Sequence, residues 1–100
     1  MAQAIGSNKG LIRLHVNFSG TVQGVGFRFT VKRIANRYEV TGFVKNLSNG
    51  DVEVVAEGDR EVLKSLIDAI CNSSLRSYIR NTSKNWELAT GEYKEFEIRF

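Results

Sequence analysis

Apolar and polar residues alternate from Ile12 to Phe18. Ile12, Leu14, Val16 and Phe18 fall on one side, Arg13, His15 and Asn17 on the other. A period of two predicts a strand with one buried face. The period then changes: Phe27, Val31, Ile34, Ala35 and Tyr38 recur at helical intervals. They predict a helix from Phe27 to Tyr38, with Lys32, Arg33 and Arg37 turned away from the apolar stripe. Thr41 to Leu47 reads as a second strand, Asn49-Gly50 as a hairpin turn, and Val52 to Glu57 as a third strand with Val52, Val54 and Ala56 on one face. Asp59 as N-cap and Glu61 in the first turn open a second helix, whose stripe is Val62, Leu63, Leu66, Ile67 and Ile70. Asn72-Ser73-Ser74 ends it. Tyr78 to Leu88 is polar and alternates poorly, which suits a sheet edge. Tyr93 to Phe100 closes the chain, with Phe96, Ile98 and Phe100 on one face.

The order is β-α-β-β-α-β plus a C-terminal strand, the split βαβ or ferredoxin-like pattern of an α+β fold. It predicts two helices packed on one face of an antiparallel sheet. One hundred residues make a single domain that buries a core without disulfides or metal. Residues 1–10 read as a flexible N-terminal arm and 11–100 as the folded domain. The net charge of +3 is modest and fits an anionic small substrate without implying nucleic acid. The single Cys71 has no internal partner, which is compatible with a reducing compartment, and a cytoplasmic setting is the expectation. No apolar run reaches membrane-spanning length, and the start lacks the pattern of a secretory signal. No Cys/His/Asp cluster has metal-ligand spacing, so no metal and no cofactor are expected.

The most informative stretch lies between the first strand and the first helix: Thr21-Val22-Gln23-Gly24-Val25-Gly26-Phe27-Arg28. A helix start presents free backbone N–H groups and positive dipole density, which suits an anion. Glycines let the backbone approach it closely. Arg28 falls in the first helical turn, where a cation is disfavoured unless an anion is bound there. The loop therefore reads as a phosphate or carboxylate cradle. It is not a dinucleotide fingerprint, because the third glycine is missing, and it has no Gly-Lys-Ser/Thr of a nucleotide-binding P-loop.

Gly20-Thr21-Val22-Gln23-Gly24-Val25-Gly26-Phe27-Arg28 resembles the signature of the acylphosphatase family. Gly42-Phe43-Val44-Lys45-Asn46, Val52 to Gly58, and the ending Phe96-Glu97-Ile98-Arg99-Phe100 resemble further family elements in the family's order. The resemblance spans about Leu11 to Phe100. It departs from the family in two connections, Leu47-Ser48-Asn49-Gly50 and Asn72-Ser73-Ser74, and is poor from Tyr78 to Leu88. It implies an enzyme that hydrolyses acyl phosphates to a carboxylate and inorganic phosphate, the latter also a competitive inhibitor. It further implies that the backbone amides of Gln23, Gly24, Val25, Gly26, Phe27 and Arg28 surround the phosphoryl oxygens. The Arg28 guanidinium grips two of these oxygens, and Asn46 orients the attacking water. An amide suits that task, since its oxygen accepts while its NH2 donates. A monomer acting on a small acyl phosphate, with no nucleic-acid or membrane partner, is the expectation.

Other residues invite weaker readings. His15, alone on the polar side of a strand, is more often a surface histidine than a general base. Cys71 near a helix end lacks an activating base and reads as partly buried filler. Lys45 adjoins Asn46 and points to the other face. Asn17-Phe18-Ser19 and Asn46-Leu47-Ser48 match the glycosylation pattern, which has meaning only for a secreted chain. A nucleic-acid module of the same fold would display aromatics on its central strands, whereas Val52 to Glu57 carries Glu53 and Glu57 instead. A domain that holds a phosphorylated ligand without turnover, as in hydrogenase maturation proteins, is the remaining alternative.

Overall fold

The computed structural model describes residues 11–100; the expected arm at 1–10 lies outside the described residues. The period-two stretch forms β1 (Leu11–Gly20), and the first helical pattern forms α1 (Phe27–Ala35). β2 (Thr41–Asn46) and β3 (Val52–Asp59) follow as a hairpin, with the Leu47 N–H donating to the Asp51 carbonyl at 2.8 Å across the turn. Then come α2 (Arg60–Cys71), a short 3-10 turn (Arg76–Tyr78), β4 (Ile79–Leu88) and β5 (Phe96–Arg99).

The five strands form one sheet in the order β4-β1-β3-β2-β5. The first four are antiparallel to their neighbours, as the pattern predicts, while β5 runs parallel to β2 with Gly42 beside Phe96 and Lys45 beside Arg99. The sheet is therefore mixed at one pair. The cause is topological. β4 ends beside Ile12, at the end of the sheet where β2 begins. The chain then crosses to the far edge at that same end, and the last strand has to set out in the direction of β2. The Gly42 N–H donates to the Glu95 carbonyl at 3.0 Å, which fixes the entry.

Both helices cover one face. Leu14, Val16 and Phe18 of β1, Val44 of β2, Val52, Val54 and Ala56 of β3 and Phe96 of β5 meet Phe27, Val31, Ile34 and Ala35 of α1 and Leu63, Leu66, Ile67 and Ile70 of α2 in one buried cluster. Burial of each valine, leucine, isoleucine or phenylalanine among them contributes roughly 1.5–3 kcal/mol. Val62 is half-buried rather than part of the stripe. Asp59 occupies the N-cap of α2, but its side chain makes no capping hydrogen bond. Phe100 leaves the apolar face predicted for it and is 88% exposed. The helix-free face carries polar residues of β1 and β3, among them Arg13 paired with Glu57 and His15 with Glu53.

Candidate active site

β1, β2 and β5 all end, and β3 begins, at the same end of the sheet. That end also holds the loop between β1 and α1. The loop is anchored from below: Val22 is fully buried, and the Phe27 ring packs on Phe18 with centroids 5.3 Å apart. Gly24 and Gly26 adopt φ values of +79° and +76°, and Gly26 is the left-handed N-cap of α1. An added Cβ would meet nothing within 4 Å at either glycine, so the requirement there is the dihedral and not the space. Left-handed residues set among right-handed ones are the backbone pattern from which anion nests are made.

The start of α1 is electrostatically unrelieved. It has no side-chain cap and no acidic residue in its first turn. The first N–H bonded to the loop is that of Thr30, which donates to the Gly26 carbonyl at 3.1 Å. The N–H groups of Gln23 to Arg28 make no backbone hydrogen bond among the described residues. They are the donors an anion would satisfy.

Arg28, half-buried, reaches from the first turn to the end of β5. Its Nη1 donates to the Arg99 carbonyl at 3.1 Å, and its guanidinium carbon lies 4.5 Å from the centre of the Phe100 ring. Arg99 is the ladder partner of Lys45, the residue before Asn46. Asn46 ends β2 opposite Val52. By alternation it shares the helix-side face with buried Val44, while Lys45 is exposed on the other face, as its position predicts. A second tie joins the loop to this corner. The Gln23 side-chain amide donates to the Leu47 carbonyl at 2.7 Å and to the Asp51 carbonyl at 2.8 Å. The fold thus brings Gln23 to Arg28 and Asn46 to one corner, with Asn46 bracketed by contacts to its neighbours on both sides.

Two of these features escape the sequence. The motif assigns Gln23 a role through its backbone, whereas its side chain staples the loop to a turn 24 and 28 residues away. Phe100 and the Arg99 carbonyl contact the Arg28 guanidinium across 71 residues of chain or more. No local pattern signals either contact.

His15 lies elsewhere. It stands on the helix-free face with Nε2 2.7 Å from Glu53 Oε2 and Nδ1 3.6 Å from Glu87 Oε2, bridging β3, β1 and β4. Cys71 is half-buried and free at the last position of α2. Glu57, 6% exposed, holds the opposite end of the sheet together. It accepts from Arg13 Nε at 2.8 Å and from the Thr90 and Gly91 N–H groups at 2.9 and 3.0 Å. Burial alone would raise the Glu57 pKa; the two amides and Arg13 outweigh it and bring it below the ordinary value. Burial would likewise lower that of Arg13, but its bonds to Glu57 and Glu92 leave it raised. A concavity of about 620 Å³ opens at this same end, between Tyr38, Val40, Leu11 and Tyr93. It is remote from the loop. An anion held by backbone N–H groups at a helix start needs no deep cavity.

A ferredoxin-like domain whose first helix starts uncapped on left-handed glycines belongs to a class with room for a small anion at that helix start, and its sequence places it more closely. The family model for acylphosphatase matches residues 14–98, and the chain belongs to the acylphosphatase family. It is a hydrolase acting on acyl phosphates. The acylphosphatase of Caldanaerobacter subterraneus subsp. tengcongensis is 41% identical over 85 residues, which are 85% of this chain and 94% of that one. The crystal structure of acylphosphatase from Bacillus subtilis superposes with a TM-score of 0.82 at 32% identity, covering 89% of this chain and 99% of that one. Full-length HypF in its phosphate- and nucleotide-bound form superposes with a TM-score of 0.80 at 34% identity, covering 90% of this chain but 12% of that much longer one.

Proposed function

We propose that the corner formed by the 23–28 loop, Arg28 and Asn46 performs the hydrolysis, by direct attack of water on the phosphorus of a small acyl phosphate. The carboxylate is a good leaving group, so the demands on the protein are to hold the phosphoryl group, offset its charge and aim the water. The N–H groups of Gln23, Gly24, Val25, Gly26, Phe27 and Arg28 take the phosphoryl oxygens. The Arg28 guanidinium retains four of its five N–H donors after the bond to Arg99, enough for a two-point grip. Charge that develops in the transition state then meets donors already in place. Asn46 accepts from the attacking water and aims it in line. Its amide is no base, so the proton passes to the substrate's own phosphoryl oxygen or to solvent.

The observation that carries this reading is the start of α1: uncapped, free of acid, built on two left-handed glycines, with an arginine in its first turn. We further propose a monomer that works in the cytoplasm without a resident metal, since Arg28 and the amides already supply the positive field. No helix among the described residues is long and apolar enough to cross a membrane. The test is hydrolysis of benzoyl phosphate by the full chain, with and without EDTA and with inorganic phosphate as competitor. Turnover unaffected by EDTA and competitively inhibited by phosphate is expected. Phosphate binding without turnover would make the domain a binder, and loss of turnover on chelation would remove the metal-free mechanism.

A further inference from the structure

The reading of Arg28 as the phosphoryl-binding cation leaves open what keeps so flexible a side chain aimed at the loop. The helix dipole at its position pushes a cation away. No acidic side chain answers it in the first turn of α1. Two contacts from the end of β5 do. The Arg99 carbonyl accepts from Nη1 at 3.1 Å, and the Phe100 ring lies 4.5 Å from the guanidinium carbon. β5 is itself fastened by the same helix, because Lys32, one turn beyond Arg28, donates from Nζ to the Phe96 carbonyl at 2.9 Å. In the parallel ladder Arg99 lies beside Lys45, next to Asn46. The end of β5 is therefore the piece of the molecule that relates Arg28 to Asn46.

Phe100 is an unusual phenylalanine. At 88% exposure it contributes nothing to the core, and an apolar ring so placed is stabilised by little except the cation beneath it. We propose that Phe100 is a positioning residue: its ring covers one face of the Arg28 guanidinium while the Arg99 carbonyl takes one edge, so that the remaining N–H groups are held toward the loop before substrate arrives. This rests on the assignment of Arg28 to phosphoryl binding. The ring blocks rotamers that would swing the guanidinium into solvent and shields one face from water. Both effects strengthen the bonds on the free edge without Phe100 touching the substrate.

The test uses the full chain and the variants Phe100→Leu, Phe100→Ala and Phe100→Tyr. Each is measured for inhibition by inorganic phosphate and for kcat and KM with benzoyl phosphate and with acetyl phosphate. An exposed cation–π contact corresponds to roughly a 2- to 5-fold effect. Phe100→Leu and Phe100→Ala should weaken phosphate by about that factor and lower kcat/KM at least as much with both substrates, while the thermal midpoint falls by no more than the few degrees that loss of one exposed cation–π contact implies. Phe100→Tyr, which keeps the ring, should behave as wild type. A phosphate constant unchanged in Phe100→Leu, a gain in activity on removing the ring, or failure of tyrosine to restore it would overturn the proposal. So would a defect confined to benzoyl phosphate, which would make the ring a contact for the acyl group. Arg28→Gln is the control for the underlying reading: if it leaves phosphate inhibition intact, that reading fails irrespective of Phe100.

Discussion

Replacing Gln23 by glutamate changes one atom type and should disable the loop. In the native side chain, Nε2 donates at 2.7 Å to the Leu47 carbonyl and at 2.8 Å to that of Asp51. Each bond is worth about 0.5–1.5 kcal/mol net. Both carbonyls keep a backbone donor, Gly50 N–H to Leu47 at 3.2 Å and Leu47 N–H to Asp51 at 2.8 Å. Deleting the amide therefore orphans no acceptor, and Gln23→Ala should cost about 1–2 kcal/mol, toward the low end of the sum. Gln23→Glu is worse. It aims a carboxylate, with no donor, at two carbonyl oxygens in a half-buried place, so the side chain must leave and take the loop with it. An additional ~1 kcal/mol or more is expected, the cost of burying a mispaired polar group. For a domain of this size 1 kcal/mol moves the melting temperature by roughly 4–8 °C. Catalysis should suffer more than stability, because a shift of about 1 Å in a positioning group can cost on the order of 100-fold. Urea unfolding read by fluorescence and kcat/KM for benzoyl phosphate measure the two effects. If Gln23→Glu is no worse than Gln23→Ala in either, the staple is not what holds the loop.

Arg28→Lys should lose at least about 100-fold in turnover, nearly as much as Arg28→Gln, because lysine keeps the charge but not the planar fork; near-normal kinetics with a native circular dichroism spectrum would sink the two-point grip. Asn46→Ala should collapse turnover while phosphate, as inhibitor, keeps its affinity within a few-fold; a large loss of phosphate affinity would assign Asn46 to binding instead. Glu57→Gln should cost roughly 2–3 kcal/mol at pH 7 with little effect on turnover, its site being at the other end of the sheet. Because the folded-state pKa of Glu57 is depressed, its contribution is complete above the ordinary carboxylate value of 4.5 and is lost as the pH falls through the lower folded value. The stability gap between wild type and Glu57→Gln in urea should close on acidification below that value; a gap independent of pH would contradict the assignment.

The sequence revealed the fold in the places where local physics decides it. β1, α1, β3 and α2 follow from periods of two and 3.6, and Leu14, Val16, Phe18, Val31, Ile34, Leu66 and Ile70 are buried as their spacing predicts. Asn49-Gly50 marks the hairpin because a tight turn requires residues that tolerate positive φ, and Gly50 has φ +97°. The direction of β5 was not legible. Ile98 and Phe96 fit a parallel or an antiparallel neighbour equally, and only the crossing at 89–95 decides between them. The predicted run from Tyr93 shortened to Phe96–Arg99 for a related reason: Thr90, Gly91 and Glu92 are drawn into the bonds around Glu57 and Arg13, while Tyr93 packs on Phe43. At the site, the glycines and Arg28 stood out because a strand-to-helix loop with a cation in the first turn is electrostatically odd. The Gln23 staple and the Phe100 stack were invisible, since each depends on partners brought near only by the completed sheet.

The same oddity makes the helix start a place where stability and binding should oppose each other. The first turn of α1 has no acid. Phe29 within it is 61% exposed and outside the apolar stripe, so a substitution there gives up only the smaller part of the ring that is covered, and a glutamine and a glutamate give it up equally. A carboxylate in a first turn stabilises a helix by about 0.3–1 kcal/mol, and Phe29→Glu should therefore melt a few degrees above Phe29→Gln, which loses the same ring. The same charge would compete with a bound anion for the dipole and repel it. At an assumed separation of about 7 Å and an effective dielectric between water and protein surface, the repulsion is on the order of 1 kcal/mol, roughly 5-fold in phosphate affinity. Phe29→Gln, of similar shape and uncharged, separates charge from loss of the ring. The defect of Phe29→Glu should shrink as salt is raised, whereas that of an ordinary packing mutant should not. A Phe29→Glu protein more stable than Phe29→Gln that still binds phosphate as tightly as Phe29→Gln at low salt would show that the anion does not rest on the start of α1, and the site would have to be sought elsewhere on the molecule.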